Sequence, residues 1–176
     1  MPSSIKQTAL RTLQMEAQSI QDLTAYVNDD FEKAINAIAG CKGRLVISGI
    51  GKSAVIAQKI VATLNSTGTP SVFMHAADAI HGDLGIVQKE DVVMIISNSG
   101  SSPEIKILTP LIKNFGNVLI AMIGNTDSFL ARQSNIILNT TVQQEACPNN
   151  LAPTTSTTAQ LAMGDEIGRA SCRERV

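Results

Sequence analysis

Apolar and polar positions follow two different rhythms along this chain. From Ser4 to about Ala25, the residues Ile5, Ala9, Leu13, Ala17, Ile20 and Leu23 recur at helical spacing. Phe31, Ala34, Ile35 and Ile38 then repeat the pattern until Gly40 stops it. Both stretches predict helices that lead the domain. The rhythm then changes to short runs rich in Val, Ile and Leu: Arg44 to Ser48, Ser71 to Met74, Asp91 to Ser97, Asn117 to Ile123 and Asn135 to Asn139. Continuous apolar runs of this length mark strands buried on both faces, as in a parallel sheet. Helix-length segments separate them. Helices are predicted over Ser53 to Asn65 and Pro103 to Asn114, with a short one near Asp127 to Ala131 and a final one opening in the cluster Thr154 to Thr158. The alternation specifies an α/β chain: a three-layer α/β/α sandwich around a five-stranded parallel sheet, Rossmann- or flavodoxin-like, preceded by the N-terminal helices. Such sheets bind ligands beyond the carboxyl ends of their strands. On this reading all the chemically unusual loops sit on that edge.

The final helix runs through Leu161, Met163, Asp165 and Ile167, after which amphipathic spacing is lost from Gly168 to Val176. Residues 168–176 are read as a vector-derived tail outside a domain of residues 1–167, with a native basic tail as the alternative.

Composition narrows the function classes. At 176 residues, 44% apolar and 16% charged, the chain suits one domain with a sizeable core. A net charge of −1 with scattered Lys and Arg, and aromatics at 3% with no Trp, argue against a nucleic-acid partner. The N-terminus lacks a basic region followed by an apolar run, and no segment approaches the roughly 20 apolar residues that span a bilayer. The expectation is a cytoplasmic protein with no membrane partner. Cys41, Cys147 and Cys172 form no C-x-x-C pair, so neither a disulfide framework nor a structural zinc site is indicated.

The most informative segment is Ser97-Asn98-Ser99-Gly100-Ser101-Ser102-Pro103-Glu104, at the end of an apolar run. Hydroxyl donors, a flexible glycine and a proline suited to a first helical turn compose an anion cradle, and phosphate is the obvious guest. Glu104 would be repelled by that phosphate unless it has a task of its own, such as moving a proton. A second glycine loop, Ser48-Gly49-Ile50-Gly51-Lys52-Ser53-Ala54, lets the main chain approach a ligand under Lys52. It is not a P-loop, because Val46 occupies the first glycine position. It does match G-x-G-x-x-A, but only the late Asp78 is available as the acidic partner of a dinucleotide site. A tight turn with a solvated lysine is the bland alternative. His75 and His81 are the chain's two histidines. Their six-residue gap is not the i, i+4 spacing of a preformed zinc site, although metal at His75 is conceivable. Glu145 lies near the hydroxyl cluster Thr154 to Thr158 and supplies a second carboxylate for acid–base work, or else is a solvated loop residue.

Gly49-Ile50-Gly51-Lys52-Ser53, Thr67-Gly68-Thr69-Pro70, His81-Gly82-Asp83-Leu84-Gly85, Ile96-Ser97-Asn98-Ser99-Gly100, Glu145-Ala146-Cys147-Pro148 and Thr154-Thr155-Ser156-Thr157-Thr158 occur in one order at compact spacing. Together they closely resemble the sugar isomerase (SIS) domain of bacterial arabinose 5-phosphate isomerases, over about residues 5 to 167. The resemblance implies interconversion of D-arabinose 5-phosphate and D-ribulose 5-phosphate, feeding 3-deoxy-octulosonate synthesis for lipopolysaccharide or capsule. It also implies a homotetramer with sites at subunit interfaces. Carried over by motif, Lys52, Glu104 and Glu145 match catalytic positions. Gly68, Thr69, His75 and His81 match substrate contacts, with His75 also matching a zinc position, and Ser53, Ser97, Ser99 and Ser102 match phosphate-contacting hydroxyls of the wider family. The reaction itself requires no organic cofactor. Two features depart from the family: a histidine from a Ser-His-Pro-Gly-Gly segment has no counterpart in this chain, and the paired CBS domains of many relatives are not in it either. A sugar-phosphate-sensing module without turnover, or an SIS isomerase for another sugar phosphate, are the alternative readings.

Overall fold

The first helix, α1 (Ile5–Asp22), begins where Ser4 forms a capping box. Its hydroxyl accepts from the Gln7 amide at 3.2 Å, and the Gln7 side chain accepts from the Ser4 amide at 2.9 Å. The expected continuation to Ala25 instead tightens into a 3-10 turn over Leu23–Tyr26. Asn28 caps α2 (Asp29–Ala39), whose first turn carries Asp29, Asp30 and Glu32 against the positive helix end. The chain then alternates through β1 (Leu45–Gly49), α3 (Lys52–Ser66), β2 (Ser71–His75), α4 (Ala76–Ala79), β3 (Val92–Ser97), α5 (Pro103–Phe115), β4 (Val118–Ile123), α6 (Phe129–Gln133), β5 (Ile136–Asn139) and α7 (Thr155–Glu174). The computed structural model describes residues 4–174. The short α4 and a 3-10 turn over Asp83–Ile86 went unpredicted, because four residues are too few to show a helical period.

All strand pairings are parallel, in the order β2-β1-β3-β4-β5. Alternate side chains feed two separate cores. Leu45, Ile47, Met94, Ile96, Ile120, Met122 and Leu138 meet α2, α3 and α7 through Ile38, Ile60, Leu64, Met163 and Ile167. Val46, Val93, Ile95, Leu119, Ala121 and Ile123 meet α4, α5 and α6 through Ala76, Leu108, Ile112 and Leu130. The three predicted layers are therefore present. Among the described residues no helix is long and apolar enough to cross a membrane.

The helix expected to lose its pattern near Ile167 continues to Glu174. Of the residues read as a tail, 168–174 belong to α7, and 175–176 lie outside the described residues. Small side chains explain the continuation. A Cβ on Gly164 would drive into Ile60, one on Gly168 would meet Thr63 Cγ2 at 3.3 Å, and Ser171 is fully buried. A period made of Gly and Ser lets α7 lie close along α3, but it is invisible to an apolar-repeat reading.

Candidate active site

The strand order reverses direction between β1 and β3, which is where open α/β sheets form their ligand crevice. Gly49 of β1 is level in register with His75 of β2 and Ile96 of β3, so three loops leave the sheet side by side.

The loop after β3 is shaped by its own serines. Ser97 Oγ, buried, accepts from the Gly100 amide at 3.0 Å. Gly100 has φ +62°, and a Cβ there would collide with Ile123 and Ser128, so only glycine fits. The Gly100 carbonyl accepts from the Leu130 amide at 3.0 Å, and Ser101 Oγ accepts from the Phe129 amide at 3.4 Å, which ties the loop to α6. Ser99 and Asn98 are exposed. Ser102 is the N-cap residue of α5 but makes no side-chain cap. Its hydroxyl is buried with no partner among the described residues, and Pro103 occupies the first turn with Glu104, which is half-buried. A 13-residue helix thus presents an N-terminus whose nearest hydroxyl is uncommitted.

The loop after β1 turns at Gly51, with φ +58°, into α3. A Cβ on Gly49 would lie 3.0 Å from the Ser53 backbone, so this glycine permits a close strand-to-helix approach. Ser53 Oγ donates to Gln160 Oε1 of α7 at 3.2 Å. Lys52 is exposed, and its ammonium donates to the Pro153 carbonyl at 3.5 Å.

Glu145 is brought to the start of α7. Its Oε2 accepts from the Thr154 amide at 2.7 Å, the Thr154 hydroxyl at 3.1 Å and the Ser156 amide at 3.2 Å, while the Thr155 hydroxyl, 3.1 Å away, donates to the Gln144 carbonyl at 2.5 Å. Partial burial alone would raise this carboxyl. The Ser156 hydroxyl facing it, the Thr154 and Ser156 amides and the Thr154 hydroxyl outweigh burial and hold it below the usual carboxylate range. Beside it the Cys147 thiol is pushed down by the backbone amides of Ala152, Leu151 and Asn149 and, against a smaller desolvation effect, by the charge of Lys52.

His75 ends β2 with Nδ1 3.6 Å from Asp78 Oδ2 and its ring edge-on to Phe73, centroids 6.3 Å apart. A zinc site takes three or four protein ligands, and among the described residues no group of three or more His, Cys, Asp or Glu side chains gathers here. His75 and Asp78 alone do not fit one. His81 lies exposed after α4.

Gly68 and Thr69 require a correction to the expectation that all the unusual loops share one edge. They follow α3 and precede β2, which places them at the amino edge of the sheet. A five-residue strand separates that edge from Lys52, about 16 Å at the usual rise. Thr69 is buried there, its hydroxyl without a partner among the described residues. A single chain therefore places Lys52, Ser53, Ser97, Ser99, Ser102, Glu104 and Glu145 on the carboxyl side of the sheet, with His75 at the end of β2, and leaves Gly68 and Thr69 on the far side. Gln160 escaped the sequence reading. It is fully buried behind Ser53, and its signal was a polar residue on the inward face of α7 between Ala159 and Met163.

A flavodoxin-like parallel sheet that carries hydroxyl-rich loops, a lysine and two carboxylates at its switch point defines a doubly wound α/β domain with its polar groups at the ligand-binding edge of such sheets. The chain matches the SIS domain over residues 37–167 and belongs to that family. It is 49% identical over 168 residues to Arabinose 5-phosphate isomerase KdsD of Pseudomonas aeruginosa, covering 96% of this chain and 52% of that protein. It is 45% identical over 166 residues to Arabinose 5-phosphate isomerase KpsF of Escherichia coli, covering 94% of this chain and 52% of that one. The chain thus spans about half the length of the curated relatives it matches. Among solved structures, c3406 of E. coli CFT073, in complex with arabinose 5-phosphate, superposes with a TM-score of 0.91 at 37% identity, covering 95% of this chain and 89% of that one.

Proposed function

We propose that this domain isomerises D-arabinose 5-phosphate and D-ribulose 5-phosphate through an enediol. The observation that carries the reading is the buried, uncommitted Ser102 hydroxyl at the start of α5, two residues before Glu104 and across the switch point from Lys52. The names of the relatives support the substrate. In this reading Ser53, Ser99, Ser102 and the α5 N-terminus hold the phosphate, while Ser97 keeps the loop in shape. A carboxylate, Glu104 or Glu145, takes the C2 proton, and the electron pair forms the C1–C2 double bond as the aldehyde oxygen gains a proton. Return of a proton to C1, with loss of the C2 hydroxyl proton, completes the ketose without any redox partner. Lys52 offsets the negative charge that develops on oxygen. Run in the opposite direction, the same steps yield the aldose, arabinose 5-phosphate, which would enter 3-deoxy-octulosonate synthesis.

The reading extends to a homo-oligomer, a tetramer with sites shared between subunits. Gly68 and Thr69 face away from Lys52 in one chain, so they reach a substrate only in a neighbouring copy. The apolar residues Ile5, Leu13 and Ile20 of α1 are 90%, 64% and 43% exposed and offer that copy a surface. Incubation with arabinose 5-phosphate in deuterated water tests the isomerase reading. Ketose formation with deuterium incorporation is expected. Tight binding without turnover would make the domain a sugar-phosphate sensor, and turnover of only another sugar phosphate would reassign its substrate.

A further inference from the structure

Glu145 and Lys52 both match catalytic positions, and the structure joins them through one peptide group. The Thr154 amide donates to Glu145 Oε2 at 2.7 Å, and the carbonyl of that same peptide, on Pro153, accepts from the Lys52 ammonium at 3.5 Å. We propose that Glu145 is a positioning residue: it orients the Pro153–Thr154 peptide so that its carbonyl holds Lys52 beside the crevice, leaving proton transfer to Glu104. This inference rests on the isomerase reading and assigns separate tasks to its two carboxylates.

Three features of the geometry support it. Three donors converge on one oxygen of Glu145, the Thr154 amide and hydroxyl just before the 20-residue α7 and the Ser156 amide in its first turn, so the carboxylate already serves as the anionic cap of α7. Taking up a substrate proton would weaken those bonds and release the helix start. Second, the same contacts that fix the charge make Glu145 a weaker base, whereas Glu104 has no hydrogen-bond partner among the described residues and stands on the rigid first turn of α5. Third, Lys52 is exposed, and a long side chain in solvent gives up rotamer freedom to hold one place, so a fixed acceptor matters to it. The Pro153 carbonyl is that acceptor, and polarisation of its peptide by a carboxylate on the N–H side makes it a better one.

The test compares Glu145→Gln, Glu145→Ala and Glu104→Gln in the full chain. A glutamine carbonyl still accepts the Thr154 and Ser156 amide bonds but cannot shuttle a proton, so it separates the two roles. With arabinose 5-phosphate, exchange of the C2 proton should stay within about tenfold of wild type in Glu145→Gln. It should fall about a hundredfold in Glu145→Ala and about a thousandfold or more in Glu104→Gln, the range of a lost general base. Side-chain NMR of Lys52 should show an ordered ammonium in wild type and Glu145→Gln, and one as mobile as exposed Lys106 in Glu145→Ala. Thermal melts identify any variant that has simply unfolded. A Glu145→Gln protein as inactive as Glu104→Gln would overturn the proposal, and so would Lys52 order that is the same in all variants. If wild type exchanges no proton, the isomerase reading fails instead, and the Lys52 measurement still decides the positioning role.

Discussion

The Ser102 hydroxyl is buried without a partner among the described residues, a state that ordinarily costs about 1–3 kcal/mol. Ser102→Ala should therefore fold at least as stably as wild type, while arabinose 5-phosphate and inorganic phosphate bind about tenfold more weakly, as expected for one lost charge-assisted hydrogen bond. Thermal unfolding and calorimetric titration measure the two effects, and unchanged affinity would remove Ser102 from the phosphate site. Glu145 makes a pH prediction of the opposite kind. Its unfolded carboxyl titrates in the ordinary range and its folded one below it, so between the two the unfolded chain holds more protons and stability rises with pH. The contribution is complete above the ordinary glutamate range and is lost as pH falls through the folded value. Melts from pH 7 to pH 3 should accordingly show a steeper acid loss in wild type than in Glu145→Gln. Cys147, with its thiol pushed down, should react with iodoacetamide at neutral pH faster than Cys41 or Cys172, and more slowly after Lys52→Met. At this scale the sequence was readable wherever residue type and spacing announce chemistry, as in Ser97 to Glu104. It was silent wherever a role depends on a partner distant along the chain: nothing local to Glu145 announces Thr154, and nothing near Ser53 announces Gln160.

Among the elements, strand boundaries were legible to within a residue, because apolar runs buried on two faces leave little room for other patterns. The helices failed the reading in two ways. α4 was too short to show a period, and the last turns of α7 pack by small size, with a Cβ excluded at Gly164, closely approached by Thr63 at Gly168, and Ser171 fully buried. The amino edge of the sheet was the other omission. There Asp91, 3% exposed, accepts from the Arg44 amide at 2.7 Å and the Gln88 amide at 2.9 Å, and pairs with the Arg44 guanidinium at 3.2 Å. This carboxylate clamps the entrances of β1 and β3 together. The Arg44 side chain is 40% exposed and adds little, but removing the carboxylate strands two backbone amides, so Asp91→Ala should destabilise the fold by about 3 kcal/mol. In a domain of this size that lowers the melting temperature by roughly 10 °C. Denaturant unfolding checks it, and a loss below about 1 kcal/mol would mean that water replaces the carboxylate.

For the molecule as a whole, the chain divides its candidate residues between two opposite edges. Lys52, Glu104 and Glu145 stand at the carboxyl ends of the strands, Gly68 and Thr69 at the amino ends, and no motion of a packed parallel sheet brings one edge to the other. Either the second pair has no part in substrate binding, or the catalytic unit contains more than one copy. The exposed stripe of α1 distinguishes these cases. Ile5, Leu13 and Ile20 lie within about 80° of one another around the helix at its normal turn, so they share one face of it. Replacing Leu13 and Ile20 together with lysine leaves both cores untouched, since neither residue belongs to them. Helical content should therefore be unchanged by circular dichroism. Light scattering should nevertheless report a smaller assembly, and because the active unit would be split, isomerisation should fall with it. Should the variant become smaller yet keep full turnover, each site is complete within one chain, and Gly68 and Thr69 serve the fold instead of the substrate.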